Sequence, residues 1–154
     1  GTAPWTHYMT LETTDVEGDY PLFYDTAPTS TYFTVGGHQE VNGNGNEFIS
    51  MLFSSVAGIS KVGYYTGDGT SDRVITTGFQ PRFLIVRPAS IVENWMVLDT
   101  TRGWGAGDDE YLNLNNSAAQ AGYNMGAPTS TGFNMGNGAS LNVDTAKYIY
   151  YAHA

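Results

Sequence analysis

The 154-residue sequence contains no cysteine. Without thiols there is no disulfide framework, no thiolate metal site and no cysteine nucleophile, so packing and hydrogen bonds alone must hold the fold. Charge is also scarce. Charged residues make up 14% of the chain, and acidic residues outnumber basic ones 15 to 6, for a formal net charge of −9. A surface of that sign repels a phosphate backbone, and no cluster of Lys and Arg offsets it, so nucleic acid is excluded as a partner. Long hydrophobic runs are missing too. The longest, such as Phe83 to Val86, span a few residues where a bilayer helix needs about twenty, so membrane insertion is not expected.

What the chain has in quantity is glycine, at 19 positions, and aromatic side chains, at 14%. Short runs of β-branched and aromatic residues alternate with Gly, Asn, Asp and Pro. They predict strands near 6–12, 20–24, 31–35, 47–53, 61–66, 73–77, 82–87, 94–99, 110–114, 131–135 and 147–152. Such spacing predicts an all-β, antiparallel, jelly-roll-like β-sandwich. Sustained helical periodicity is absent, and one helical turn at most is expected, near Ser117 to Gln120. Tyr148 and Tyr150 share one face of the last strand, and if buried their hydroxyls need partners.

Self-comparison adds an internal repeat. Ala27-Pro28-Thr29-Ser30-Thr31 recurs as Ala127-Pro128-Thr129-Ser130-Thr131, and the match runs without a gap, giving nine identities over residues 27–54 and 127–154. Phe48, Ile49 and Met51 fall opposite Tyr148, Ile149 and Tyr151. Upstream, residues 7–14 match 94–101 at an offset of 87 instead of 100, which leaves 13 extra residues in the second copy, between Arg102 and Gly126. Residues 59–93 have no counterpart before His7. The expected organisation is therefore one and a half repeats: residues 1–58 as the C-terminal part of a first copy and 59–154 as a complete second, packed as one compact unit.

Chemistry-bearing motifs are few. His7, His38 and His153 are widely separated and lie in no metal-binding spacing. No phosphate loop, dinucleotide fingerprint or nucleophile elbow occurs. Acidic clusters at Asp15, Glu17 and Asp19, at Asp68 and Asp72, and at Asp108, Asp109 and Glu110 invite thoughts of Ca²⁺ or of glycosidic acid–base pairs, but none has a calcium-loop spacing, and solvated loops are the simpler reading. No cofactor is expected, with Ca²⁺ the one candidate. Of the tryptophans, Trp95 aligns with Tyr8 and Trp5 precedes that strand, so both read as core. Trp104, in the Gly-rich extra segment, reads as exposed. Trp104, Asp108, Asp109 and Glu110 are accordingly the candidate contacts to a ligand or a neighbouring subunit, and no catalytic residue is expected.

The string SKVGYYTGDGTSDRVITTGFQPRFLIVRPAS, then NWMVLDTTRG, DEYLNLNNSAAQ, GFNMGNGASLN and KYIYYAHA, resembles a repeat domain of tail-fibre and virion-surface proteins of tailed bacteriophages, many of them marine. The resemblance covers residues 59–154, and the tail of a preceding repeat covers 1–56. It implies a non-enzymatic structural role at the virion surface, with other virion subunits, including copies of itself, as partners and a host-surface glycan as a further possibility. Within the pattern, Gly67-Asp68-Gly69 marks a turn, Asn142 a hairpin, and Asp99 and Arg102 an expected ion pair. Where the family has a Lys-Arg pair after its apolar strand, this chain has Arg87-Pro88. The alternative reading is a carbohydrate- or receptor-binding module on the particle.

Overall fold

A computed structural model describes residues 5–105, 107–136 and 140–154. The chain divides into two units: residues 1–9 with 17–52, and residues 10–16 with 53–154. The division falls near the expected boundary at residue 58, with the difference that residues 10–16 belong to the second unit.

The first unit has little regular structure. Strands β1 (His7–Tyr8) and β2 (Gly18–Asp19) form a two-residue antiparallel ladder, and α1 (Gln39–Asn42) is a single turn whose start is capped by His38. The expected strands at 20–24, 31–35 and 47–53 are not formed. These segments have the composition of strands, but a strand needs a neighbour for its backbone groups, and no partner strand lies beside them among the described residues. The repeated sequence 27–54 and 127–154 therefore takes two conformations, because only the second copy meets partner strands.

The second unit is an antiparallel β-sandwich, as the alternation predicts. Its strands are β3 (Ser60–Thr66), β4 (Arg73–Thr76), β5 (Phe83–Pro88), β6 (Met96–Asp99), β7 (Asp109–Asn113), β8 (Ala121–Tyr123), β9 (Pro128–Thr129), β10 (Gly132–Met135) and β11 (Lys147–His153). One sheet has the order β3-β11-β5-β6-β7-β8 and the other β4-β10-β9. Central strand β11 alternates strictly, with Tyr148, Tyr150 and Ala152 buried and Lys147, Ile149 and Tyr151 half-buried on the other face. The buried set packs with Leu84, Val86 and Leu98 from the large sheet and with Phe133 and Met135 from the small one. Tyr65 and Tyr148, opposite each other in the ladder, stack with centroids 4.6 Å apart. The Tyr65 hydroxyl donates to Leu141 O and the Tyr148 hydroxyl, one of the two expected to need a partner, donates to Ser140 O, at 2.7 Å each. At Gly63 a Cβ would come within 2.5 Å of the Tyr150 ring, so only glycine lets that ring lie across β3.

In the stretch Arg102–Gly126, which holds the 13 extra residues of the second copy, β7 forms at the strand expected over 110–114, and β8, which falls in no expected strand, adds a further strand to the large sheet. The helical turn expected at 117–120 is absent: Ala118 N–H donates to Asn116 Oδ1 at 3.0 Å, a local turn that competes with helix. A 3₁₀ turn occurs instead at Thr100–Arg102.

Candidate functional site

Trp104 and its neighbours do not form the exposed contact surface expected of them. Gly103 and Gly105 have φ of 111° and 91°, left-handed values that fold the segment back on itself. Trp104 is thereby turned into the sandwich, 3% exposed, with its ring 6.2 Å from that of Phe133. The glycines that suggested exposure in fact permit burial. Asp109 is likewise 1% exposed and accepts from Gly105 N–H at 2.5 Å and Met125 N–H at 2.7 Å, tying two loops to the start of β7. Glu110 is half-buried and accepts from Gln120 Nε2 at 2.5 Å, while Gln120 Oε1 accepts from Arg102 at 2.8 Å. Only Asp108 is exposed. Ala106, within this stretch, lies outside the described residues. The four candidates therefore neighbour one another in sequence but do not converge on a ligand.

The expected Asp99–Arg102 ion pair is replaced by another. Asp99 faces Arg82 across the β5–β6 ladder at 3.4 Å and caps the 3₁₀ turn by accepting from Thr101 N–H at 2.7 Å. Burial pushes the Asp99 carboxyl up, but the Thr101 hydrogen bonds and Arg82 outweigh it and hold it below its ordinary value.

Two further constellations involve residues singled out in the sequence. In the first, buried Asn142 accepts from Asp68 N–H at 3.0 Å and donates to Asp68 Oδ1 at 2.9 Å and Thr70 O at 2.8 Å. Asp68 also accepts from the Thr70 hydroxyl at 2.7 Å and pairs with Arg73 at 3.1 Å. The Thr70 hydroxyl, then Asn142, then the Thr70 amide keep the Asp68 carboxyl well below the usual carboxylate range. In the second, Arg87 is fully buried, donates to the backbone oxygens of Thr10 and Asp15, and lies 5.1 Å from the centre of the Trp95 ring. Trp95 Nε1 donates to the same Thr10 oxygen at 3.1 Å. Arg87 and Trp95 thus clamp residues 10–16, and burial lowers the guanidinium's proton affinity.

In the first unit, Trp5, Phe23 and Phe33 line a pocket of about 370 Å³ with Thr26, Thr34 and Ser50 among its polar members. Trp5 is therefore not a core residue as expected but 43% exposed, so Trp5 and Trp104 have the reverse of their anticipated environments. No separate sequence signal marked this pocket, because its walls come from segments without strand structure. Among the described residues, no three His, Asp or Glu side chains come together as a metal-holding group. No helix of the described residues is long and apolar enough to cross a membrane.

This all-β chain belongs to a family defined as a domain of unknown function, DUF7483, whose model matches residues 1–154. No curated protein and no solved structure matches the chain.

Proposed function

We propose that the chain is a non-enzymatic structural module of a tailed-bacteriophage particle, placed on a tail fibre, an appendage or the capsid surface, where it assembles with other virion subunits and with copies of itself. The observation that supports this reading is where the motif polar groups go. Asp68, Asp99, Asp109 and Asn142 spend their hydrogen-bonding capacity on turns and loops of the sandwich itself. Side chains used in this way serve a scaffold. The motifs shared with phage repeat proteins are then motifs of architecture.

Particles produced from the genome that encodes the chain provide the test. Antibodies against the purified chain are expected to label those particles at the tail or the capsid surface, in register with density of sandwich size in cryo-electron maps. Particles that carry no label and contain no copy of the chain would overturn the reading.

The pocket in the first unit supports a second reading, a module that binds a host-surface glycan. Exposed Trp5 with Phe23 and Phe33 offers faces for a sugar ring, and Thr26, Thr34 and Ser50 offer hydroxyls for its rim. A glycan array decides it: binding lost in Trp5→Ala supports this role, and an array with no binder removes it.

A further inference from the structure

The large sheet ends differently on its two sides. At one edge β8 is three residues long with Gly122 at its centre, a short edge of the kind that blunts unwanted pairing. At the other edge β3 is seven residues long. Gly67 N–H donates to Ala146 O and Ala154 N–H to Ile59 O, at 2.8 Å each, so the odd-numbered residues of β3 bond β11 and the even-numbered ones face away. Ser60 exchanges two backbone bonds with Val56, and the N–H and C=O of Val62 meet the Ser55 hydroxyl at 3.0 and 3.4 Å. Beyond that point the backbone groups of Tyr64 and Thr66 have no partner among the described residues. Their side chains are β-formers without charge, and Tyr64 is 79% exposed. A groove of about 570 Å³ separates this edge strand from β4.

The chain also carries a segment suited to that edge. Residues 48–53, Phe-Ile-Ser-Met-Leu-Phe, contain no charge and form no strand, yet expose Ile49 at 96% and Met51 and Leu52 at 75% each. In the ungapped repeat they align with 148–153, and those residues are β11, the strand that pairs with β3. The segment thus has the position in its repeat of β3's own neighbour and has no partner strand among the described residues, although the Phe53 ring lies 4.8 Å from that of Tyr151.

We propose that residues 48–53 of one copy add as a strand to the open β3 edge of a second copy. The inference rests on the assembly reading above and names its surface. Donor and acceptor are different surfaces, so the contact builds closed rings, the smallest being a reciprocal two-member exchange, or open chains.

The test uses sedimentation velocity over a concentration series. Tyr64→Pro removes an N–H that faces the open edge and leaves the bonds of Gly63 and Tyr65 to β11 intact. Ile49→Asp places a charge in the donor at a fully exposed position. Each is expected to weaken association at least ~10-fold, Tyr64→Pro by the loss of about one well-made hydrogen bond and Ile49→Asp by the cost of burying a carboxylate in an apolar contact, while Tyr64→Val, which keeps the N–H, does not. Circular dichroism identifies a variant that fails to fold, and Ile49→Asp against Tyr64→Val then suffices. Mixing Ile49→Asp, whose acceptor is intact, with Tyr64→Pro, whose donor is intact, is expected to give dimers that grow no further. Variants that associate like the parent chain would overturn this surface and leave the assembly reading standing. A parent chain monomeric throughout would overturn the inference, and labelling of particles would then judge the broader reading separately.

Discussion

At the scale of single residues, polar and aromatic groups that look functional in the sequence are structural in the fold. Trp104 is the clearest case, because its ring fills the space beside Phe133 between the two sheets. Trp104→Ala is therefore expected to destabilise the chain by about 3–5 kcal/mol in chemical denaturation, the usual cost of deleting a buried aromatic ring. Asp109→Ala strands the N–H groups of Gly105 and Met125, and a loss of about 2–4 kcal/mol is expected in the same measurement, with Asp109→Asn, which retains one acceptor, losing less. The sequence conceals these roles for a physical reason. Gly103 and Gly105 read equally as the hinges of an exposed loop and as the left-handed positions that fold a tryptophan inward. Which of the two applies is decided by whether a cavity of the right size waits between distant strands, and local sequence carries no information about that.

At the scale of elements, the described strands of the second unit were legible except β8 and β9, whereas in the first unit only β1 falls within an expected strand. β3, β5, β6 and β11 each pair with at least one full-length neighbour, so their alternating apolar residues find the core that the alternation implies. Residues 31–35 and 47–53 have the composition of strands too, but pairing is a property of two segments, and no partner strand lies beside them among the described residues. The turn between β3 and β4 was legible in Gly67-Asp68-Gly69, whereas its clasp by Asn142, 74 residues away from Asp68, was not. That clasp has a pH signature. The Asp68 carboxyl titrates lower in the fold than in the unfolded chain, so its stabilisation is complete above the unfolded value of about 4 and declines as pH falls below it. Asp68→Asn is expected to lower the thermal midpoint at pH 7, and the gap to the parent chain should narrow steadily below about pH 4. A gap that stays constant down to pH 2 would show that the charge of Asp68 contributes nothing to the clasp.

At the scale of the whole molecule, the two units differ in how much apolar surface they bury. Nearly all fully buried apolar side chains belong to the sandwich, whereas Leu22 alone among the described apolar residues of the first unit is classed as buried, and Tyr24, Tyr32, Ile49, Met51 and Leu52 are exposed. Backbone bonding follows the same division, with, among the described residues, a two-residue ladder and one helical turn in the first unit against nine strands in the second. Local opening free energy follows buried contacts and the number of ladder bonds that must break together. Amide hydrogen exchange at low protein concentration is therefore expected to protect β5, β6 and β11 up to the global stability. The amides of 18–52 should exchange through local openings several kcal/mol lower, and those of 48–53 should be among the fastest. Raising the concentration tests the pairing surface in the same experiment. If residues 48–53 become a strand on the β3 edge of another copy, protection appears there and at Tyr64 and Thr66 together, and nowhere else in the first unit to the same degree. Protection that rises with concentration in the first unit but leaves Tyr64 and Thr66 unchanged would mean that the exposed apolar segment is covered by something other than that edge.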